Sequence, residues 1–191
     1  MKDKSFEFEI GNCLKILETG GIILYPTDTI WGIGCDATNS VAIQKIYKLK
    51  KREEKKSLII LVDDEKMIHK YVFNPSEKIL SFISSAERPT TAIFSNAANL
   101  ASQLINEERT IAIRIVKDDF CRQLIQQLKK PLVSTSANIS GELSPQNFIE
   151  VSGKIKTGVD YIVQHRQTDF SKHAPSSIIR LNTNNEIEFL R

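Results

Sequence analysis

Seven cations fall within twelve residues of this chain: Lys45, Lys48, Lys50, Lys51, Arg52, Lys55 and Lys56, opposed there only by Glu53 and Glu54. Cations packed this densely repel one another unless an anion is regularly present. Arginine supplies a planar fork for phosphate and lysine a mobile point charge, which together suit a polyphosphate. The competing reading is a solvated helix end, where Lys and Arg gain about 0.3–1 kcal/mol from the helix dipole. Residues 131–141 (PLVSTSANISG) run an apolar strand into a row of hydroxyl and amide groups with no charge among them. Such a row can hydrogen-bond phosphate oxygens or a small zwitterion, or it can cap the helix that follows. Residues 25–34 (YPTDTIWGIG) form a third candidate, directly after a buried run. Open α/β folds gather ligands where loops leave the carboxyl ends of strands. Thr27 and Thr29 can donate and accept, Trp31 offers a flat apolar wall, and Gly32 and Gly34 permit close backbone approach. An ordinary turn with a core tryptophan explains the same residues.

Whole-chain composition narrows the ligand. The 191 residues carry 26 basic and 23 acidic side chains; without the seven clustered cations and two glutamates, 19 basic face 21 acidic. One concentrated positive site on a near-neutral chain excludes a uniformly basic nucleic-acid coat and indicates a localised anion. Cys13, Cys35 and Cys121 are far apart, odd in number and without CxxC spacing, which fits reduced intracellular thiols. The amino-terminal MKDKSFEFEI places acids where a signal peptide needs an apolar core, and no run approaches the ~20 apolar residues of a membrane span. A soluble, cytoplasmic protein with no membrane partner is expected. There is no GxxxxGK[ST] loop, GxGxxG turn or GxSxG elbow, and residues 153–158 (GKIKTG) read as a plain turn. His69, His165 and His173 lack metal-ligand spacing and read as structural or solvent-facing.

The elements that must carry these groups follow from periodicity. Ile10, Cys13, Leu14 and Leu17 recur at helical spacing, and Gly20-Gly21 ends that helix. Residues 22–25 and 58–62 read as buried strands. Ser40 is expected to cap a helix carrying Val41, Ile43, Ile46, Tyr47 and Leu49. Further strands are expected at 91–95, 110–116, 131–135, 160–164, 176–181 and 186–190, and helices at 76–86, 97–106 and 117–129. Residues 182–185 (NTNN) turn the last two strands into a hairpin. Strands alternating with helices predict an α/β domain with a mixed sheet.

Lys50-x-Arg52, a distant Ser136-x-Asn138 and the preceding 26–29 (PTDT) together resemble the YrdC-like family of L-threonylcarbamoyladenylate synthases. The resemblance runs from about Gly20 to Arg191 and includes residues 110–114 (TIAIR) and 175–179 (PSSII). It implies an open, twisted, mixed β-sheet flanked by helices, with a basic and hydroxyl-lined cleft. It also implies a single catalytic domain over 7–191 with no additional carboxyl-terminal domain. Such enzymes join L-threonine, bicarbonate and ATP, the last with Mg²⁺, to give threonylcarbamoyl-AMP and pyrophosphate. The product feeds N6-threonylcarbamoyladenosine formation on tRNA by a downstream tRNA threonylcarbamoyltransferase. By similarity, Lys50 and Arg52 are catalytic, and Arg52 and Lys56 hold the triphosphate. Thr110, Ser136, Asn138, Ser144 and Arg191 complete the ATP site. Thr29, Ser134 and Ser176 contact threonine, and Arg114 pairs with its carboxylate. No protein metal ligand is implied. The chain departs from the family pattern at Glu53 and Ser57, where prolines usually stand, at Leu61, where a histidine is common, and over residues 86–91 (AERPTT). Of the family's Arg-x-Pro-x-His motif it keeps only Arg114.

Two other functions share the same cations. One is an RNA-binding module holding tRNA or double-stranded RNA without catalysis; the other is a nucleotide-sensing regulatory domain. The neutral Ser/Thr/Asn wall separates the RNA module from the enzyme, because it suits a small bound nucleotide better than a duplex backbone. The sensing domain keeps the ligand without turnover, and the missing family prolines and histidine are its best support.

Overall fold

Helix α1 (Lys4–Glu18) buries Ile10, Cys13 and Leu17 along one stripe. It stops at Gly20, whose φ of +75° lets the Gly20 and Gly21 amides return to the Leu17 and Ile16 carbonyls. The coordinates are a computed structural model and describe residues 4–54, 57–171 and 173–191. The chain then enters strand β1 (Ile23–Tyr25) and turns back through strand β2 (Gly32–Gly34), antiparallel to it. Residues 25–34, expected as a loop after a buried strand, contain this second strand. Here the glycines are required by contact: a Cβ at Gly34 would lie 2.5 Å from the Val133 carbonyl oxygen.

Helix α2 (Ser40–Lys50) is capped by Asn39 rather than Ser40; the Asn39 side chain accepts from the Val41 and Ala42 amides. Strand β3 (Ile59–Val62) leads to a short helix α3 (Glu65–Tyr71), capped by Asp64, which the apolar pattern was too brief to reveal. Helix α4 (Glu77–Ser85) and strand β4 (Thr90–Phe94) follow as expected. The helix expected over 97–106 is reduced to a 3-10 turn at Ser102–Leu104. Asn96 and Asn99, both at positive φ, break the chain there. Next come strand β5 (Ile111–Ile115), helix α5 (Asp119–Leu128, capped by Asp118) and strand β6 (Leu132–Ser136). Residues 153–158 form helix α6 (Gly153–Gly158) and not a turn, because Ser152 caps it and Ile155 is fully buried. Strand β7 (Tyr161–Ile162) and the hairpin of β8 (Ser177–Leu181) with β9 (Ile187–Phe189) complete the chain.

The nine strands form one mixed sheet in the order β7-β1-β2-β6-β3-β5-β4-β8-β9, parallel only at β7–β1, β3–β5 and β4–β8. Helices flank it, with α3, α4 and α5 packed on its middle strands. Register decides what each face presents, because alternate residues point to opposite sides. Ile60, Val133, Ile113, Ala92 and Ile179 share one face and are fully buried. Gly32, Ser136, Ser134, Ile59, Arg114, Thr91 and Ile178 share the other. This second face carries the polar groups.

Candidate active site

A cleft of about 270 Å³ lies on that polar face. Strand β6 contributes Ser134, Thr135 and Ser136, β5 contributes Arg114, and Ser144 follows on the loop beyond β6. Thr29 and Trp31 come from the loop joining β1 and β2; Arg52 and Ser57 come from the segment joining α2 and β3. Ser176 and Arg191 close the far side. Three arginines face a row of hydroxyls, and no carboxylate is among the described residues lining the cleft. Gly32 keeps its floor low, since a Cβ there would sit 3.3 Å from Ser134 Oγ.

One end is a chain of directed hydrogen bonds. Thr27 donates its hydroxyl proton to the Ile30 carbonyl at 2.8 Å, so it must accept from Thr29, 2.9 Å away. Thr29 in turn accepts from Arg114 Nη1 at 3.3 Å. Asp28 Oδ1 lies 3.0 Å from Arg114 Nη2, an ion contact rather than an aligned hydrogen bond. Arg114 is only 2% exposed, and its Nε–H has no partner among the described residues. A buried, unmatched donor costs about 1–3 kcal/mol, so this end gains from an arriving acceptor. Ser176 shares a hydroxyl hydrogen bond of 2.8 Å with Thr91. Behind the loop, Arg166 donates to the Thr27 carbonyl and to Asp118, fixing the loop from outside the cleft.

The other end joins two segments far apart in sequence. The Lys50 ammonium donates to the carbonyls of Ser136 and Asn138, and the Ser140 amide returns a bond to the Lys50 carbonyl. Within the loop, Ser136 Oγ donates to the Asn138 side chain, whose amide donates to the Ile139 and Glu142 carbonyls. Lys50 is 1% exposed, and burial, aided by the nearby Arg52 charge, lowers its pKa from an ordinary 10.5 to about 8. Its side chain therefore lies beneath the 136–142 loop and does not line the cleft. Asn138 likewise shapes the loop from within. Arg52 does line the cleft, steadied by an Nη2 bond to the Ser57 carbonyl.

The structure thus brings Thr29, Arg52, Arg114, Ser134, Ser136, Ser144, Ser176 and Arg191 around one space. Thr110 is set apart: it precedes β5 and lines a neighbouring depression of about 720 Å³ with Ser95, Asn106 and Arg180. Lys56 lies outside the described residues. Asp28 and Thr91 escaped the sequence reading. Asp28 stood inside the 26–29 segment without any sign of which cation it faced; Thr91 is placed by pairing with β8, which no local pattern reports. Among the described residues, no group of three His, Cys, Asp or Glu side chains stands close enough to hold a metal.

Residues 15–191 match a family model for Sua5, YciO and YrdC, described as telomere recombination. The chain is 32% identical over 166 residues to a threonylcarbamoyl-AMP synthase of Pseudoalteromonas translucida, covering 85% of this chain and 87% of that protein. It is 35% identical over 146 residues to a protein of the same name from Idiomarina loihiensis, covering 75% and 78%. The crystal structure of P. abyssi Sua5 complexed with L-threonine superposes with a TM-score of 0.85 at 21% identity. That match covers 97% of this chain but 54% of Sua5, so the chain spans about half the length of that protein. E. coli YciO superposes with a TM-score of 0.80 at 20% identity, covering 95% and 87%. At these identities the structural matches speak for the fold.

Proposed function

The chain belongs to the Sua5–YciO–YrdC family, and from that premise we propose that it is a threonylcarbamoyl-AMP synthase. It joins L-threonine, bicarbonate and ATP and releases pyrophosphate. One observation carries the reading: a single cleft holds Arg114 with a spare buried donor on the sheet face and Arg52 beside a row of hydroxyls. The first suits an amino-acid carboxylate and the second a triphosphate.

The chemistry makes limited demands. Bicarbonate condenses with the threonine amine to a carbamate, losing water. A carbamate oxygen then bonds to the α-phosphorus as the bond from that phosphorus to the pyrophosphate oxygen breaks. Two anions must meet, so alignment and charge compensation dominate, with no covalent enzyme nucleophile. In this reading Arg114, Thr29, Ser134 and Ser176 hold threonine on the sheet face. Arg52, Ser136, Ser144 and Arg191 hold the nucleotide phosphates, with Lys56 added from beyond the described residues. Lys50 and Asn138 act by fixing the loop that presents Ser136. Thr110 lines a separate depression and is given no part in this reading. Mg²⁺ enters bound to ATP, because the described residues lining the cleft offer it hydroxyls and no carboxylate. The mixed anhydride formed is consumed by a tRNA threonylcarbamoyltransferase, which places the protein with tRNA in the cytoplasm. Among the described residues no helix is long and apolar enough to cross a membrane.

The decisive assay follows pyrophosphate. Release is expected only when L-threonine, bicarbonate and Mg-ATP are all present. Folded protein that releases none in response to threonine would sink the activity.

A further inference from the structure

Arg114 is a buried cation, and a buried cation is costly without a counter-charge. The carboxylate that meets it is Asp28, whose side chain is 9% exposed. Asp28 does not line the cleft. Its second oxygen, Oδ2, accepts from the Lys117 backbone amide at 3.3 Å, which anchors the carboxylate from the strand-exit side. Thr29 then takes Arg114 Nη1, and the buried Nε has no partner among the described residues.

We infer that Asp28 is a positioning residue for threonine binding: it holds the Arg114 guanidinium so that a spare donor meets the amino-acid carboxylate. The inference deepens the proposed activity and rests on it for the identity of the amino acid. Asp28 acts through Arg114 and does not touch the ligand. Its charge has a second consequence. The Asp28–Arg114 pair is close to neutral, which suits a zwitterion and disfavours capture of a bare phosphate. Nucleotide phosphates are thereby left to Arg52, and the two substrates sort to different arginines of one cleft.

The test is steady-state kinetics with calorimetric L-threonine binding, on wild type, Asp28→Asn, Asp28→Glu, Arg114→Gln and the Asp28→Asn/Arg114→Gln double variant. Asp28→Asn is expected to raise the KM for L-threonine at least about tenfold while moving the KM for ATP less than about twofold. Asp28→Glu is expected to fall between it and wild type. The double variant is expected to bind threonine no more weakly than Arg114→Gln alone, because the two residues act as one unit. An unchanged threonine KM, equal shifts for both substrates, or additive losses would each overturn the role. Should Asp28→Asn fail to fold, Asp28→Glu carries the test: its threonine KM should move threefold or more with ATP unaffected, and no movement counts against Asp28. Wild-type protein without threonine-dependent turnover would refute the activity itself. An active wild type matched by Asp28→Asn refutes the role of Asp28 alone.

Discussion

A methyl group at Gly34 would stand 2.5 Å from the Val133 carbonyl and 2.7 Å from the Tyr25 ring, both held in the sheet. Neither neighbour can yield cheaply, so Gly34→Ala should cost about 1–3 kcal/mol, the range for overpacking a filled interior. At Gly32 the nearest atoms are Ser134 Oγ and the Thr135 carbonyl, each 3.3 Å away, and one of them is a side chain in the cleft. Gly32→Ala should therefore lower stability by less than about 1 kcal/mol yet depress turnover, because the methyl occupies ligand space. Urea denaturation beside the pyrophosphate assay checks the pair; equal stability losses would contradict the contrast. Glycine as a site of close approach was legible in the sequence. Which glycine meets backbone and which meets the cleft was not, since that depends on the β2–β6 register.

At the scale of elements, the link between α2 and the loop after β6 explains why Lys50-x-Arg52 and Ser136-x-Asn138 occur together. The two segments share reciprocal hydrogen bonds through Lys50, a contact across 86 residues that no local pattern reports. Lys50→Met would leave the Ser136 and Asn138 carbonyls without their donor and loosen Ser136 at the phosphates, so the KM for ATP should rise. The pH dependence has a definite sign. Burial lowers the folded-state pKa of Lys50 to about 8, below the ordinary 10.5, so between those values the unfolded chain binds more protons. Stability contributed by this group consequently rises as pH climbs from about 8 to about 10.5 and is flat below about 8. Denaturation of wild type and Lys50→Met across that range should show the difference moving toward wild type by up to about 3 kcal/mol. A difference that moves the other way would contradict the burial of the charged ammonium. Long amphipathic helices and apolar strands such as α1, α5, β3 and β6 were legible because burial imposes a period on them. The short α3 and α6, and the 3-10 turn at Ser102–Leu104, were not, because caps and asparagine geometry decide them.

Across the whole molecule, the cleft is assembled from parts that the sheet order places side by side. The loop joining β1 and β2 and strand β6 lie on one side of β3, while β5, β4 and β8 lie on the other. Arg52, on the segment leading into β3, and Arg114, on the neighbouring strand β5, reach one space from different elements, and each can be lost without removing the other. A ligand that binds only the folded state stabilises it by about 2.7 kcal/mol at one hundred times its Kd. For a domain of this length about 2–4 °C of Tm accompanies each kcal/mol, so saturating Mg-ATP should raise Tm by roughly 5–10 °C. Arg52→Ala should abolish most of that rise while keeping the smaller rise with L-threonine, and Arg114→Gln should do the reverse. Losing both responses in each variant would mean that the arginines support the fold rather than divide two substrates. The net charge of the chain pointed only to the basic run; the sheet adds Arg114, distant from that run in sequence, to the same cleft. If the two occupants meet in one space, Mg-ATP and L-threonine together with bicarbonate should raise Tm beyond the sum of their separate effects until turnover consumes them. A non-hydrolysable ATP analogue in place of ATP makes that comparison measurable at equilibrium.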